Sequence, residues 1–406
     1  MTNPRAHKQA TPKKRVYELI AEQGVASKAV LQAQTAMTSS TLTRLLEEMT
    51  AERLILASKL GPSSGGRRPI LYEINPTYGY LFGLEISRIH STLGFFDMRL
   101  NAMSFTRWRM DEAMTPERFT QHAAASMKAI MHDHGVTADQ VIGIGIGAVG
   151  PLDRERGVIL QPLHYPAAGW VNVPICRMLE EATGISARLE NGANTALLGE
   201  HWAMRHASSQ HMLYVHAGVG IRSAMMSYGQ IIHGSVDMEG AAGQMIIQTD
   251  GPRLHEGGNF GALEAFVSVQ ALERAAQSQA KLGRSPLADI FPDLPPDQIR
   301  YDNLLLALRR EHPYAVGLFQ QSATYLGIGL ANMINLLHPE TVILGGALIN
   351  SHESYYEQAI DVARRHTYYS PQYEPVFTKG ELREDAVATG AAYMIWREMA
   401  LPRASS

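Results

Sequence analysis

Cysteine is nearly absent from this chain of 406 residues, in which Cys176 is the only one. A single thiol excludes a disulfide-stabilised fold and a zinc site built mainly from thiolates. Long apolar runs are missing as well: no stretch of about 18 uncharged apolar residues occurs, so no membrane-spanning helix is predicted. Residues 1–19 contain basic side chains but no apolar segment, so we expect no secretory signal and predict a cytoplasmic protein.

Charge is nearly balanced over the whole chain but unevenly distributed along it. Lys and Arg number 36 against 39 Asp and Glu, a net charge of −3. Residues 1–75 alone carry a charge of +5, which leaves −8 on the remaining residues. A basic N-terminal part on an acidic remainder indicates contact with a polyanion, although an inert solvated surface would give the same charge count.

Residues 1–76, called the head below, carry the patterns of three helices and a β-hairpin. Ser27 is a cap residue for a short second helix that extends to about Gln34. The apolar stripes of the first and third helices are Val16, Leu19 and Ile20, and Leu42, Leu45, Leu46 and Met49. Two β-type runs, 54–57 and 70–74, flank a loop rich in glycine, serine and proline. Three helices followed by a hairpin are typical of a winged helix-turn-helix.

Polar side chains on the third helix and in the hairpin loop are the candidates for contact with DNA. They are Ser40, Thr41, Thr43 and Arg44 on the helix, and Arg67 and Arg68 in the loop. The helical residues can reach base edges or phosphates, and arginines that follow two glycines suit the narrow minor groove of A·T-rich DNA. We therefore predict a double-stranded DNA operator as partner, although three helices alone could also form a docking bundle.

Residues 77–406, called the body below, change to short apolar strands that alternate with helical stretches. Residues 81–97 predict a hairpin, 141–153 a buried strand with a Gly-Pro corner, and 188–200 a strand, an Asn-Gly corner and a helix. Residues 211–234 predict two strands around a glycine loop, and 325–348 a helix, a turn and a strand. This alternation predicts an α/β architecture with a ligand cleft at the strand ends.

Five segments of the body resemble, in their order and spacing, those of the ROK family of repressors, open reading frames and kinases. They span residues 143–159, 190–200, 216–234, 250–266 and 334–348. The resemblance covers nearly the whole chain and implies a two-lobed, actin-like and ribonuclease-H-like sugar-kinase fold for the body. The head is typical of the repressor branch of the family. The chain therefore resembles bacterial regulators of glucose, N-acetylglucosamine and xylose use. A homodimer or higher oligomer formed through the body is implied as well.

Departures from the kinase pattern predict that the body is not an enzyme. The resemblance implies an Asn-Asp pair in kinases, with the Asp as base for the sugar hydroxyl, where this chain has Asn191 and Gly192. Glycine cannot accept a proton. The first phosphate loop of the kinases is replaced by residues 85–89, the threonine of the second by Ala217, and a small glycine by Arg222. We expect no phosphoryl transfer and no cofactor.

The zinc motif of the family is also lost. The histidine position holds Gln244, and the three cysteine positions hold His255, Gly257 and Ala262. One remaining candidate ligand does not hold a structural zinc. Because the framing glycines at 258 and 261 remain, we expect the loop to persist and to be held by hydrogen bonds.

The sugar pocket is partly retained. Asn191 and Glu264 match positions that bind sugar hydroxyls in relatives, and Glu239 lies two residues from Ala241, which replaces a pocket glutamate. Together with Gln244 they are the candidate ligand-binding residues, because carboxylates and amides pair with hydroxyls. The alternative is structural: Glu264 would cap a helix and Asn191 would only form the turn.

These observations predict a sequence-specific transcriptional regulator of carbohydrate metabolism, a repressor rather than an activator, with an inactive sugar-kinase-like sensor. Its effector would be a sugar or a sugar derivative. Two alternatives stay open. One is a sugar kinase with a DNA-binding head, and the other is a regulator controlled by a protein partner rather than a sugar.

Overall fold

The computed structural model describes residues 11–60, 68–237, 240–283 and 285–401. The head contains the three expected helices, α1 (Pro12–Gln23), α2 (Lys28–Gln34) and α3 (Ser39–Ala51). Each begins at a side-chain cap, because the hydroxyls of Thr11, Ser27 and Thr38 accept backbone N–H groups of the first turn. The predicted apolar stripes of α1 and α3 are buried.

The expected hairpin is present and gains a third strand. β2 (Ile55–Leu60) pairs antiparallel with β3 (Ile70–Ile74), and β1 (Val25–Ser27) pairs with the other edge of β3. Three residues between two helices are too short to show a strand pattern, which is why β1 was not predicted. Through β1, the turn between α1 and α2 is tied to the hairpin.

The first sheet of the body has the order β10-β7-β4-β5-β6. Its strands are β4 (Tyr80–Ile86), β5 (His90–Asp97), β6 (Ala102–Arg109), β7 (Val141–Ala148) and β10 (Ala187–Asn191). β7 is parallel to both β4 and β10, whereas β5 is antiparallel to β4 and β6. Helices α4 (Pro116–Asp133) and α5 (Ile175–Thr183) pack on one face. Short strands β8 (Leu152–Asp153) and β9 (Val158–Ile159) form a separate pair.

The second sheet has the order β13-β12-β11-β14-β15. Its strands are β11 (Met212–Ala217), β12 (Ile221–Ser227), β13 (Gln230–Ile231), β14 (Thr341–Gly345) and β15 (Val376–Thr378). One face is covered by α7 (Val269–Lys281), α8 (Tyr301–Arg309), α9 (Pro313–Leu337) and α10 (Glu353–His366). Two sheets with helical layers confirm the predicted α/β class.

Helices α6 (Gly192–Ala203) and α11 (Ala386–Glu398) share a buried cluster with side chains of both sheets. They cross at very close range, since a Cβ on Gly390 of α11 would overlap the carbonyl oxygen of Thr195 in α6. Gly145 of β7 meets the backbone of Ala391 in the same way. Glycine at these points lets α11 lie directly on the first sheet and on α6.

The head and the body share a hydrophobic core. Tyr17 of α1 stacks on Trp396 of α11 with ring centroids 5.5 Å apart. The ammonium group of Lys14, 8% exposed, donates to the carbonyl oxygen of Trp396 over 3.0 Å. A second contact between the head and the body is made by Arg99 of the body. It donates to the carbonyl oxygen of Ile74 and pairs with the carboxylate of Glu73 at 3.1 Å, both in the head.

Among the residues that the structure describes, none of the helices is both long enough and apolar enough to cross a membrane. The segments predicted from 81–97, 141–153, 188–200, 211–234 and 325–348 are all found with the expected secondary structure. β6 was not predicted. Its side chains alternate between exposed and half-buried at the edge of the sheet, and no apolar run marks it.

Candidate functional site

The Asn-Gly corner lies where β10 ends and α6 begins. Asn191 caps the helix, because its Oδ1 accepts the N–H of Ala193 over 3.0 Å. The side chain is 0% exposed, and its Nδ2 has no hydrogen-bond partner among the described residues. A buried amide donor without a partner is costly, and a ligand oxygen at the corner would satisfy it. Asn191 therefore makes the turn, and its amide nitrogen has no partner among the described residues.

Glu190 holds the loops around this corner, a role that the sequence analysis missed. Its carboxylate accepts the side chains of Asn194 at 3.0 Å and His233 at 2.9 Å, and pairs with Arg154 at 3.1 Å. Arg154 also pairs with Asp237 at 3.1 Å. Burial by itself would raise the pKa of Glu190, but the hydrogen bonds from His233 and Asn194 and the charge of Arg154 lower it to about 2. Near neutral pH, Glu190 is therefore ionised and holds the side chains around the corner.

Arg222 lies directly beside the corner. A Cβ built on Gly192 would be 3.4 Å from its Nη1 and 3.4 Å from the carbonyl oxygen of Ala148. Both Arg222 and the glycine turn 218–220 line a cleft of about 980 Å³, together with Glu85 and the Gly345–Gly346 turn. The cleft thus includes Arg222 and most of the segment 85–89, two of the places at which the sequence departs from the kinase pattern.

Glu85 is one of the acidic groups that line this cleft. Burial raises the pKa of its carboxyl to about 7, although the charge of Arg222 and a hydrogen bond from Thr92 oppose the shift. The side chain is half-buried rather than sealed from the cleft. Near neutral pH, Glu85 is therefore only partly ionised.

Glu85→Gln should flatten the dependence of stability on pH. The folded state keeps a proton that the unfolded chain releases from pH 4.5 upward, so wild-type stability should fall as pH rises from 4.5 to about 7. Because water in the cleft screens the group, we expect the variant to be more stable than wild type by about 1–2 kcal/mol at pH 8 and similar to it at pH 4.5. Urea unfolding at the two pH values measures this. The surface variant Glu181→Gln should follow the wild-type curve, and a parallel curve for Glu85→Gln would contradict the assignment.

The loop at the former zinc motif is held by hydrogen bonds, as expected. Gln244 donates to Glu264 over 3.0 Å and accepts the backbone N–H of Asn259 over 2.9 Å. His255 lies 3.7 Å from the same Glu264 carboxylate. The described residues contain no group of three or more His, Cys, Asp or Glu arranged to hold a metal. Whether the protein purifies without zinc stays a prediction.

Glu264 does not cap a helix, which was the structural alternative for it. Its Oε1 accepts the N–H of Ile221 over 3.0 Å, and Ser268 is the cap of α7. The structure therefore brings Glu264 and Gln244 together at the start of β12. Gly192, the chain neighbour of Asn191, lies beside the guanidinium of Arg222 on the same strand. Glu239, the remaining candidate, lies outside the described residues.

The candidate DNA contacts lie on α3 and at the start of β3. Ser40 and Arg44, four residues apart and so on one face, are exposed, whereas Thr41 and Thr43 are half-buried. Thr41 bonds the cap hydroxyl of Thr38 at 2.9 Å, and Thr43 donates to the carbonyl oxygen of Ser39 over 2.9 Å. Arg68 is exposed next to β3, and Arg67 lies outside the described residues.

Residues 83–398 match the family model described as the ROK family. The putative xylose repressor of Caldicellulosiruptor sp. (strain Rt8B.4) is 25% identical over 393 residues, a match that covers 95% of each chain. A solved structure of a ROK family transcriptional regulator, a homolog of the E. coli MLC protein, has a TM-score of 0.76 at 21% identity and covers 95% of this chain and 96% of that one. The ROK hexokinase of Thermus thermophilus has a TM-score of 0.63 at 29% identity, over 77% of this chain and 96% of that one.

Proposed function

This chain belongs to the ROK family, and from that premise we propose that it is a sequence-specific transcriptional repressor of carbohydrate metabolism whose body senses an effector without phosphorylating it. The observation that carries the proposal is the combination of a basic three-helix and hairpin head with Gly192 at the corner where the family resemblance places the base of a kinase. The match to the putative xylose repressor, which covers 95% of each chain, supports it. Such a regulator would act in the cytoplasm.

The head, residues 1–76, is assigned as a winged helix-turn-helix with α3 as the recognition helix. Caps at Ser27 and Thr38 fix the starts of α2 and α3, and the β1-β3-β2 sheet supplies the wing. Arg44 is 66% exposed and only weakly paired, with Glu48 at 3.5 Å, so it is available to a base or a phosphate. The charge of +5 over residues 1–75 favours the approach of DNA.

Arg44→Ala should weaken binding to the preferred operator by about 1–3 kcal/mol and relax the preference at one base position. Arg68→Ala should weaken binding to all sequences and reduce the slope of log affinity against log salt by about one unit. Sites selected from a random duplex library, followed by fluorescence anisotropy at several salt concentrations, measure both effects. Arg177→Ala, an exposed arginine in α5, is the matched control and should bind as wild type. Wild-type affinity in the two head variants would contradict the assignment.

The body is assigned as the sensor, with a ligand at Asn191, Glu264 and Gln244 near the start of β12. A chain of packed side chains joins the Asn191 corner to the head. Helix α6 begins at Gly192, and near its other end Trp202 packs on Trp396, with ring centroids 5.8 Å apart. Trp396 in turn contacts Tyr17 of the head. A ligand that draws the lobes together would move α6 and hence the head, and it could change DNA affinity by about 1–3 kcal/mol.

A panel of neutral sugars, sugar phosphates and amino sugars, tested for release of the selected operator, examines the sensor. Release or tightening by one of them supports a small-molecule effector. If none acts and a partner protein is recovered that changes DNA binding, control by a protein replaces control by a sugar.

The geometry at Gly192 argues against the kinase alternative. The position has no group that accepts a proton, and Arg222 occupies the adjacent space. Sugar-dependent hydrolysis of ATP by the purified protein, measured with the same panel, is the direct test. Turnover with any sugar would replace the repressor proposal by a kinase with a DNA-binding head.

Dimerisation is proposed because one head covers only a short half-site. Two heads would read half-sites about 10 or 20 base pairs apart. Analytical ultracentrifugation of the full chain tests this proposal, and a monomer at micromolar concentration would contradict it.

A further inference from the structure

Residues 232–237, called the strap below, reach from one lobe of the body to the other. They follow β13 of the second sheet and contact the lobe that is built on the first sheet. Residues 232–236 are exposed, and residues 233–236 form no backbone hydrogen bond with another described residue. The apolar side chains of Ile232 and Val236 are 48% and 69% exposed. Backbone ladders and apolar packing therefore contribute little to holding the strap in place.

Two side-chain contacts join the strap to the other lobe. Asp237, at the end of the strap, pairs at 3.1 Å with Nε of Arg154, which lies in the turn between β8 and β9. His233, near its start, contacts the carboxylate of Glu190 in β10 through Nε2 at 2.9 Å. Nη1 of Arg154 pairs with the same carboxylate at 3.1 Å. The four side chains thus form one connected row, with two of them in each lobe.

Glu190 connects this row to the start of α6. Its Oε2 contacts His233 and Arg154. Its Oε1 accepts the backbone N–H of Asn191 over 2.7 Å and the side-chain amide of Asn194 over 3.0 Å. The side chains of Glu190 and Arg154 are only 9% and 18% exposed, so solvent screens their charges weakly. Removing one partner would leave a buried charge without its counter-ion, which is strongly unfavourable.

We propose that the strap locks the two lobes together through Arg154 and Glu190, and that its release is the step that lets the lobes move apart. Helices α6 and α11 also join the two sheets, but they do so through a buried apolar cluster. The contacts of the strap are polar, so water can replace them when the strap opens. The inference concerns the body alone and does not depend on DNA binding by the head.

Double electron–electron resonance on the full chain measures whether the strap stays attached. Spin labels are placed at Ser235→Cys in the strap and at Glu117→Cys in α4, both exposed, in a Cys176→Ala background. One narrow distribution of distances is expected when the strap is otherwise unchanged. Arg154→Gln should add a second population of distances, because the strap loses its ion pair. In the unlabelled protein, thermolysin should then cut before Val236 about tenfold faster than in wild type.

Variants of the second contact keep the test decisive if Arg154→Gln does not fold. His233→Ala removes an exposed side chain and should also release the strap. His233→Gln keeps a donor that can reach Glu190, and it should hold the rate of cleavage within about threefold of wild type. Arg156→Gln is the matched control, because Arg156 lies in the same turn as Arg154 but is 81% exposed and pairs with Asp153 of its own turn. It should behave as wild type.

Three results would overturn the proposal. The first is that Arg154→Gln and His233→Ala both leave the distances and the cleavage before Val236 unchanged. The second is a wild-type strap that already has two populations of distances. The third is faster cleavage along the whole chain, because that indicates loss of stability rather than release of the strap. Neither measurement uses DNA, so failure of this inference leaves the proposed function standing, and absence of operator binding leaves this inference standing.

Discussion

Trp396→Ala should lower the free energy of unfolding by about 3–5 kcal/mol, because the variant removes a large buried side chain and leaves a cavity in the core. Trp396 is 1% exposed. Its ring stacks on Tyr17 and packs on Trp202, and its indole N–H donates to the carbonyl oxygen of Met98 over 3.0 Å. The same indole ring makes a cation–π contact with the ammonium group of Lys14, which lies 4.8 Å from the ring centroid.

The position of Trp396 gives this loss a particular consequence. Tyr17 and Lys14 belong to α1 of the head. The variant therefore weakens the interface between the head and the body as well as the core of the body. Burial lowers the pKa of Lys14 to about 8, and the variant also removes the ring that this buried amine contacts. The coupling between a ligand at the Gly192 end of α6 and DNA affinity should therefore fall with the stability.

Urea unfolding followed by circular dichroism measures the first effect, and ligand-dependent operator release measures the second. Trp396→Phe keeps an aromatic ring but not the indole N–H, and we expect a loss of about 1–2 kcal/mol. Trp108→Ala is a matched control in the body, since Trp108 is half-buried on edge strand β6, away from the head. It should cost less and leave the ligand response in place. A Trp396→Ala variant within about 1 kcal/mol of wild type would contradict the packing described here.

Local patterns in the sequence were enough for the helices and hairpin of the head and for the five predicted segments of the body, but they did not place α4, α5, α7, α8, α10 or α11. Thr38 and Ser27 begin helices because a hydroxyl one residue before the first turn accepts a backbone N–H, and that signal needs no tertiary contact. The Asn191 corner was predictable for the same reason. Strands β1 and β6 were missed because one is only three residues long and the other has no buried face.

The site was less predictable, because its partners are distant in the chain. Glu190 is adjacent to Asn191 in the sequence, but its contacts are with Arg154 and His233, which are 36 and 43 positions away in the chain. Arg222 could be identified as a misfit at a glycine position, but only the fold places its guanidinium beside Gly192. Sequence periodicity reports which face of an element is buried and not what that face meets.

Gly390→Ala is the second variant with a large expected effect, and this effect depends on what the glycine contacts rather than on helix propensity. Gly390 lies inside α11, where alanine is ordinarily the better helix former by about 0.5–1 kcal/mol. Here a Cβ would overlap the carbonyl oxygen of Thr195 and come within 2.6 Å of the backbone nitrogen of Gly199, both in α6. Backbone cannot rotate away as a side chain can, so α6 and α11 would have to separate. We expect a loss of about 3 kcal/mol or more, or failure to fold.

Gly317→Ala is the matched control for this prediction. Gly317 also lies inside a helix, α9, but it is exposed and a Cβ there would meet nothing within 4 Å. The same substitution should therefore stabilise the protein by about 0.5–1 kcal/mol. Urea unfolding of the two variants side by side measures a difference in sign that helix propensity alone cannot produce. Equal stabilisation by both variants would show that α6 and α11 do not cross at the distance described. Stabilisation by Gly317→Ala together with loss of folded protein in Gly390→Ala would support the close crossing of α6 and α11. That crossing fixes the position of α6, which has the Gly192 corner at one end and Trp202 near the other.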